Sequence, residues 1–172
     1  MKYESKCQLD LIVGSEARKI DQILFDKERR SLVSTNGAAI AVVPCEVEEQ
    51  DPEKALLPSG IVKELRIKNR SKGNSQLRCE KDGSLSYEGK NGTGIFHLKD
   101  SFYPNWKLIV DKNKERDEEG GFCLNPKLLL ELAKALGSEK SVRICHYDDG
   151  QIRVIPKESK GFGILMGIRE ER

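Results

Sequence analysis

The side chains best equipped for chemistry in this sequence are five cysteines and two histidines: Cys7, Cys45, Cys79, Cys123, Cys145, His97 and His146. A thiolate nucleophile needs a base beside it, and a structural metal site needs ligands in close pairs such as C-x-x-C. No two cysteines stand at that spacing, and both histidines fall in strand-like runs. The P-loop, G-x-G-x-x-G, G-x-S-x-G and H-E-x-x-H patterns are absent from the sequence. Unpaired cysteines in this pattern read as reduced, mostly buried thiols. No catalytic residue, metal site or cofactor is expected, and the chain does not read as an enzyme.

The other candidates are cations. Lys63, Arg66 and Arg70 stand at i, i+3 and i+7, which places them on one face of a helix. Lys68 and Lys72 extend the region, and residues 59–82 hold seven basic side chains against three acidic ones. Lys127 and Lys134 share a face of a second helix. The local surplus of +4 stands out in a chain of net charge +2. Such a face is either ordinary solvated helix or a surface for phosphates, and charge alone favours the first. The acidic run at residues 46–53 and the charged run at 112–121 read as solvated loops.

The elements that must carry these residues belong to a chain of 172 residues, 37% hydrophobic and 34% charged. That length favours one domain across residues 1–172, with a core that needs no disulfide or metal staple. Thirty basic and 28 acidic residues nearly cancel, which argues against disorder. No apolar run approaches the roughly 18 residues of a membrane span, and residues 1–10 lack a signal-type apolar core. A cytoplasmic protein with no membrane partner is expected.

Self-comparison finds a repeat. Shifted by 67 residues, Leu57 to Leu65 falls on Leu124 to Leu132, Asp82-Gly83 on Asp149-Gly150, and Leu77, Leu85 and Gly94 on Ile144, Ile152 and Gly161. Each copy predicts a helix followed by three strands. The first helix presents Ile61, Val62 and Leu65; the second presents Leu128, Leu129, Leu132, Ala135 and Leu136 and ends at Gly137. Asp-Gly between alternating runs marks a hairpin in both copies. The third strands are predicted at 94–98 and 163–168. Repeat one spans 55–99 and repeat two 122–169. Residues 1–45 read as a strand meander, a partial third copy, with strands at 9–13, 19–25, 31–34 and 39–43. The fold class is α+β, with both helices packed on one side of a continuous sheet system.

Three stretches carry a resemblance to a known family. Residues 34–43, STNGAAIAVV, look like the T-D-G-H-R-L-A motif of the bacterial DNA sliding clamp, the β subunit of DNA polymerase III. Residues 102–109, FYPNWKLI, look like its F-P-D-Y-R-R-V motif. Residues 125–137 followed by 161–169, GFGILMGIR, look like its last helix and V-M-P-M-R terminus. The resemblance covers most of residues 18–169 and implies a DNA clamp-like fold, shortened relative to the family.

That resemblance implies a non-catalytic role in DNA replication. Helix cations would meet duplex DNA phosphates without reading bases: Lys63, Arg66, Lys68, Arg70, Lys72, Lys127 and Lys134. An apolar pocket would receive short peptides from DNA polymerase or other clamp-binding proteins. By motif position it would be built by Thr35, Gly37 and Ile40, by Pro104, Leu108 and Ile109, and by Ile164, Met166 and Ile168. The alternative is that these apolar residues fill the sheet core. Ala38 and Ala39 stand where the family has larger polar side chains, which implies a wider, less polar rim. A ring would need on the order of six copies, so a homo-oligomer is expected. The alternative function is a clamp-fold module that binds a protein partner or its own copies and never encircles DNA.

Overall fold

The computed structural model describes residues 1–16, 20–69, 73–80, 82–89, 92–98, 103–111, 124–138, 140–147 and 150–166. The chain begins with β1 (Lys2–Glu4), a single 3-10 turn (Leu9–Leu11), then β2 (Gln22–Asp26), β3 (Ser31–Thr35) and β4 (Ala39–Pro44). There follow β5 (Lys54–Pro58), α1 (Ser59–Asn69), β6 (Asn74–Cys79), β7 (Leu85–Gly89) and β8 (Gly92–Phe96). A short α2 (Trp106–Asp111) precedes α3 (Pro126–Ala135), β9 (Val142–His146), β10 (Gln151–Pro156) and β11 (Phe162–Met166). Two helix-plus-three-strand units are therefore present, α1-β6-β7-β8 and α3-β9-β10-β11.

Two antiparallel sheets result: β1-β6-β7-β8, and a seven-stranded sheet in the order β5-β2-β3-β4-β11-β10-β9. The second sheet is continuous because β11 pairs with β4, setting Ile164 against Ile40 and Leu165 against Ala39. β4 is buried on both faces by strict alternation. Ala39, Ala41 and Val43 enter the main core with α1, α3 and the 3-10 turn, whereas Ile40 and Val42 join a smaller cluster with Leu24, Val33 and Trp106. The long helices thus pack on one face of the sheet and α2 on the other.

Local chemistry accounts for the principal elements. Asn125 caps α3 by accepting from the Lys127 and Leu128 amides at 3.0 and 3.3 Å, and Pro126 occupies the first turn, where its missing N–H costs nothing. Gly137, at φ 73°, ends the helix. Both repeat hairpins turn on a glycine in the left-handed region, Gly83 at 80° and Gly150 at 79°.

Two expectations need correction. The strand expected at 9–13 is absent: Leu9–Leu11 form a 3-10 turn, and Leu9 and Ile12 are both buried in the main core with side chains of α1 and α3. Within residues 1–45, β1 pairs with β6 of the first repeat, Tyr3 opposite Ser75. The acidic run at 46–53 is not wholly solvated. Asp51 is 3% exposed and accepts from the Met1 ammonium at 3.0 Å and from the Glu48 amide at 2.9 Å. The predicted loop at 112–121 lies outside the described residues.

Candidate functional site

The corner between β3 and β4 is built by short polar side chains. Thr35 Oγ1 donates to the Ala39 carbonyl at 2.7 Å and accepts from the Gly37 amide at 3.1 Å. Asn36 Oδ1 accepts from the Ala38 and Ala39 amides at 3.0 and 2.8 Å, an Asx turn that presets the bend. Gly37 takes φ 88°, which side chains bearing a Cβ resist. This corner delivers Thr35, Gly37 and Ile40 to one end of the sheet, beside Ile164 and Met166 of β11.

α2 supplies the opposing wall. Trp106 is buried against Ile40, Leu24 and Val33, and the Tyr103 hydroxyl donates to the Val33 carbonyl at 3.1 Å. Three ionic contacts tie α2 to the end of β2 and the turn that follows it. Lys107 pairs with Asp26 at 3.3 Å and with Glu28, and Arg29 pairs with Asp111 at 2.7 Å. The hydrogen bond from Lys107 holds the Glu28 carboxyl below the usual carboxylate range, and the same bond raises the Lys107 amine.

Between these walls lies an apolar cavity of about 220 Å³ lined by Ile20, Thr35, Gly37, Ala38, Ala39, Ile40, Pro104, Trp106, Ile109, Ile164 and Met166. Seven of the nine residues named from the sequence converge on it: Thr35, Gly37, Ile40, Pro104, Ile109, Ile164 and Met166. Leu108 does not line it. Helical spacing turns Trp106 and Ile109 inward and leaves Leu108 54% exposed on the far side. Ile168 lies outside the described residues. Ile20 and Trp106 are wall residues that the sequence reading did not select. Trp106 is the chain's single tryptophan and directly follows Pro104-Asn105, a signal that was available.

The helix cations divide. Arg66 clasps Asp10 through Nε and an Nη atom, at 3.1 and 3.0 Å, and so fastens α1 to the 3-10 turn. Lys68 pairs with Glu88 at 2.7 Å. Lys63, Lys127 and Lys134 are exposed. Arg70 and Lys72 lie outside the described residues. α1 and α3 stand on the face of the seven-stranded sheet opposite the cavity, so cations and cavity occupy different sides of the molecule.

Other chemistry is sparse. Burial pushes the Cys7 and Cys45 thiols up to about 12, which leaves them protonated and unreactive near neutral pH. Among the described residues no cluster of His, Cys, Asp and Glu could hold a metal, and no helix is long and apolar enough to cross a membrane.

No protein-family model matches the sequence, and no curated protein matches it. Solved structures do. The chain superposes on DNA polymerase III subunit β from Borrelia burgdorferi with a TM-score of 0.73 at 14% identity, covering 99% of this chain and 64% of that one. The Thermotoga maritima β subunit gives 0.69 at 13% identity, with 99% and 65% covered. The Helicobacter pylori β clamp, solved bound to a DNA ligase peptide, gives 0.66 at 16% identity, with 98% and 66% covered. The chain therefore has the sliding-clamp fold. It spans a little under two thirds of the length of these clamps.

Proposed function

We propose that this chain is a sliding-clamp-like tethering factor that lies against duplex DNA through its helix face and recruits replication proteins through the apolar cavity. The observation that carries this reading is the convergence of three distant stretches, 35–40, 104–109 and 164–166, on one cavity in a clamp fold. The cavity is smaller than the roughly 300–1,000 Å³ of a small-molecule site, which suits one or two apolar side chains of an extended peptide. Binding of a partner's peptide, from a DNA polymerase or another clamp-binding protein, supplies recruitment. Exposed Lys63, Lys127 and Lys134 supply non-specific phosphate contacts, with Arg70 and Lys72 as further candidates. Assembly with other chains supplies the enclosure of DNA.

The test has two arms. Calorimetry with a short apolar-acidic peptide should give a dissociation constant on the order of micromolar to tens of micromolar, because little area offsets the ordering cost. Retention on closed circular DNA should exceed retention on linear DNA and fall with salt. Absence of both would overturn the proposal. The second reading, a protein-binding or self-assembly module that never encircles DNA, draws support from Arg66 and Lys68, whose charges are already neutralised by Asp10 and Glu88. Peptide binding without any salt-dependent DNA retention would select it.

A further inference from the structure

Strand register sets one row of side chains across the face of the large sheet that carries α2. Thr35 faces Ile40, Ile40 faces Ile164, and Ile164 faces Arg153. Directly paired residues share a face, so the row runs from the apolar cavity onto β10. Thr35, Ile40 and Ile164 line the cavity, and Arg153 stands outside its lining. One strand spacing, about 4.8 Å, separates its backbone from that of Ile164.

Arg153 is fixed in place without being neutralised. Its guanidinium carbon lies 4.3 Å from the centre of the Phe162 ring, and Nη1 donates to the Tyr147 hydroxyl at 3.2 Å. Tyr147 is buried, and Phe162 packs on the cluster that holds Trp106. Arg66 and Arg29 each meet an aspartate, at 3.0 and 2.7 Å. Among the described residues Arg153 meets no carboxylate, and its Nε is buried with no hydrogen-bond partner. A guanidinium stays charged at any ordinary pH, and a buried donor left unpaired on a charged group is costly. A ring and a hydroxyl orient the fork, but neither supplies the negative charge that it lacks.

We propose that Arg153 selects the peptide that enters the cavity by binding a carboxylate one or two residues from its apolar anchor. The inference rests on the tethering reading above and adds the chemistry that ranks its partners. With Nη1 engaged by Tyr147, Nε and Nη2 form the edge that a carboxylate takes with two parallel hydrogen bonds. An extended peptide advances about 3.3 Å per residue, so one or two residues span the step from the cavity floor to Arg153. The carboxylate belongs either to an Asp or Glu side chain or to the peptide's own C-terminus. Both present the same two oxygens.

The test is calorimetry on the full chain with three synthetic peptides that share an Ile-Leu anchor. The first has Glu two residues from the anchor on each side and blocked ends. The second has Gln at both places and blocked ends. The third has Gln before the anchor and ends two residues after it in a free carboxylate. At least one carboxylate peptide should bind about tenfold more tightly than the blocked Gln peptide, and which one does so identifies the source. Arg153→Met should bring the difference below about twofold and leave the Gln peptide's affinity unchanged. Arg153→Lys keeps the charge but loses the planar fork, and should reduce the difference to about threefold even if Arg153→Met fails to fold. Equal binding of all three peptides by the wild-type chain would overturn this inference and leave the tethering reading standing. So would a preference undiminished in either variant. Failure of all three to bind would overturn both.

Discussion

Ile164 and Met166 lie two residues apart on the same face of β11, yet one is 3% exposed and the other 51%. The same cavity thus has a floor that belongs to the fold and a rim that is open to a ligand. Ile164→Ala should destabilise the protein by about 2–4 kcal/mol in urea titrations, because it empties space that β4 and Trp106 cannot collapse into. Met166→Lys should change stability by less than about 0.5 kcal/mol and remove peptide binding in calorimetry, since the ammonium stays in water until a ligand displaces it. Cys7 and Cys45 follow burial in the same way. With thiols raised to about 12, both should resist a disulfide-forming reagent at pH 8 until denaturant is added, whereas half-buried Cys79 reacts in the folded state.

At the scale of elements, α2 is held as a wall by charge. Glu28 has a lowered carboxyl pKa, so its contribution is present above the ordinary carboxylate range and lost as pH falls through the folded value. Lys107 has a raised pKa, so its contribution is present below the ordinary lysine range and lost as pH rises through the folded value. Peptide affinity should therefore be level between those two ranges and decline on both sides. Lys107→Ala should weaken it several-fold, on the order of threefold, in calorimetry at neutral pH. The helix face makes a separate prediction. Glu substitutions at Lys63, Lys127 and Lys134 together should flatten the dependence of log affinity for DNA on log salt by about 2–3, with stability almost unchanged. Arg66→Gln should instead cost about 2 kcal/mol of stability, because it strands the buried Asp10 carboxylate. The repeats, both hairpin turns and most of the cavity were legible in sequence, because Asp-Gly turns and helical apolar spacing are local signals. The fastening of Arg66 to Asp10, 56 residues away, was not. Nor were the departure of β1 to β6 and the burial of Asp51 against the Met1 ammonium, since these depend on pairings between segments with no shared local pattern.

At the scale of the whole molecule, one core runs through both sheets. Tyr3, Leu77 and Leu85 of the four-stranded sheet share it with Phe25, Leu57, Leu132, Ile152 and Leu165 of the larger sheet and its helices. The two repeats therefore have no separate interiors to lose in turn. β4 adds to this coupling, because its inner side chains enter that core while its outer ones pack under Trp106. Residues 1–172 should unfold as one cooperative unit. Scanning calorimetry should give a single transition with a calorimetric enthalpy of about 120 kcal/mol near 60 °C, equal to the van't Hoff value. Two resolved transitions, with α3-β9-β10-β11 melting first, would show that the β4·β11 seam is a domain boundary.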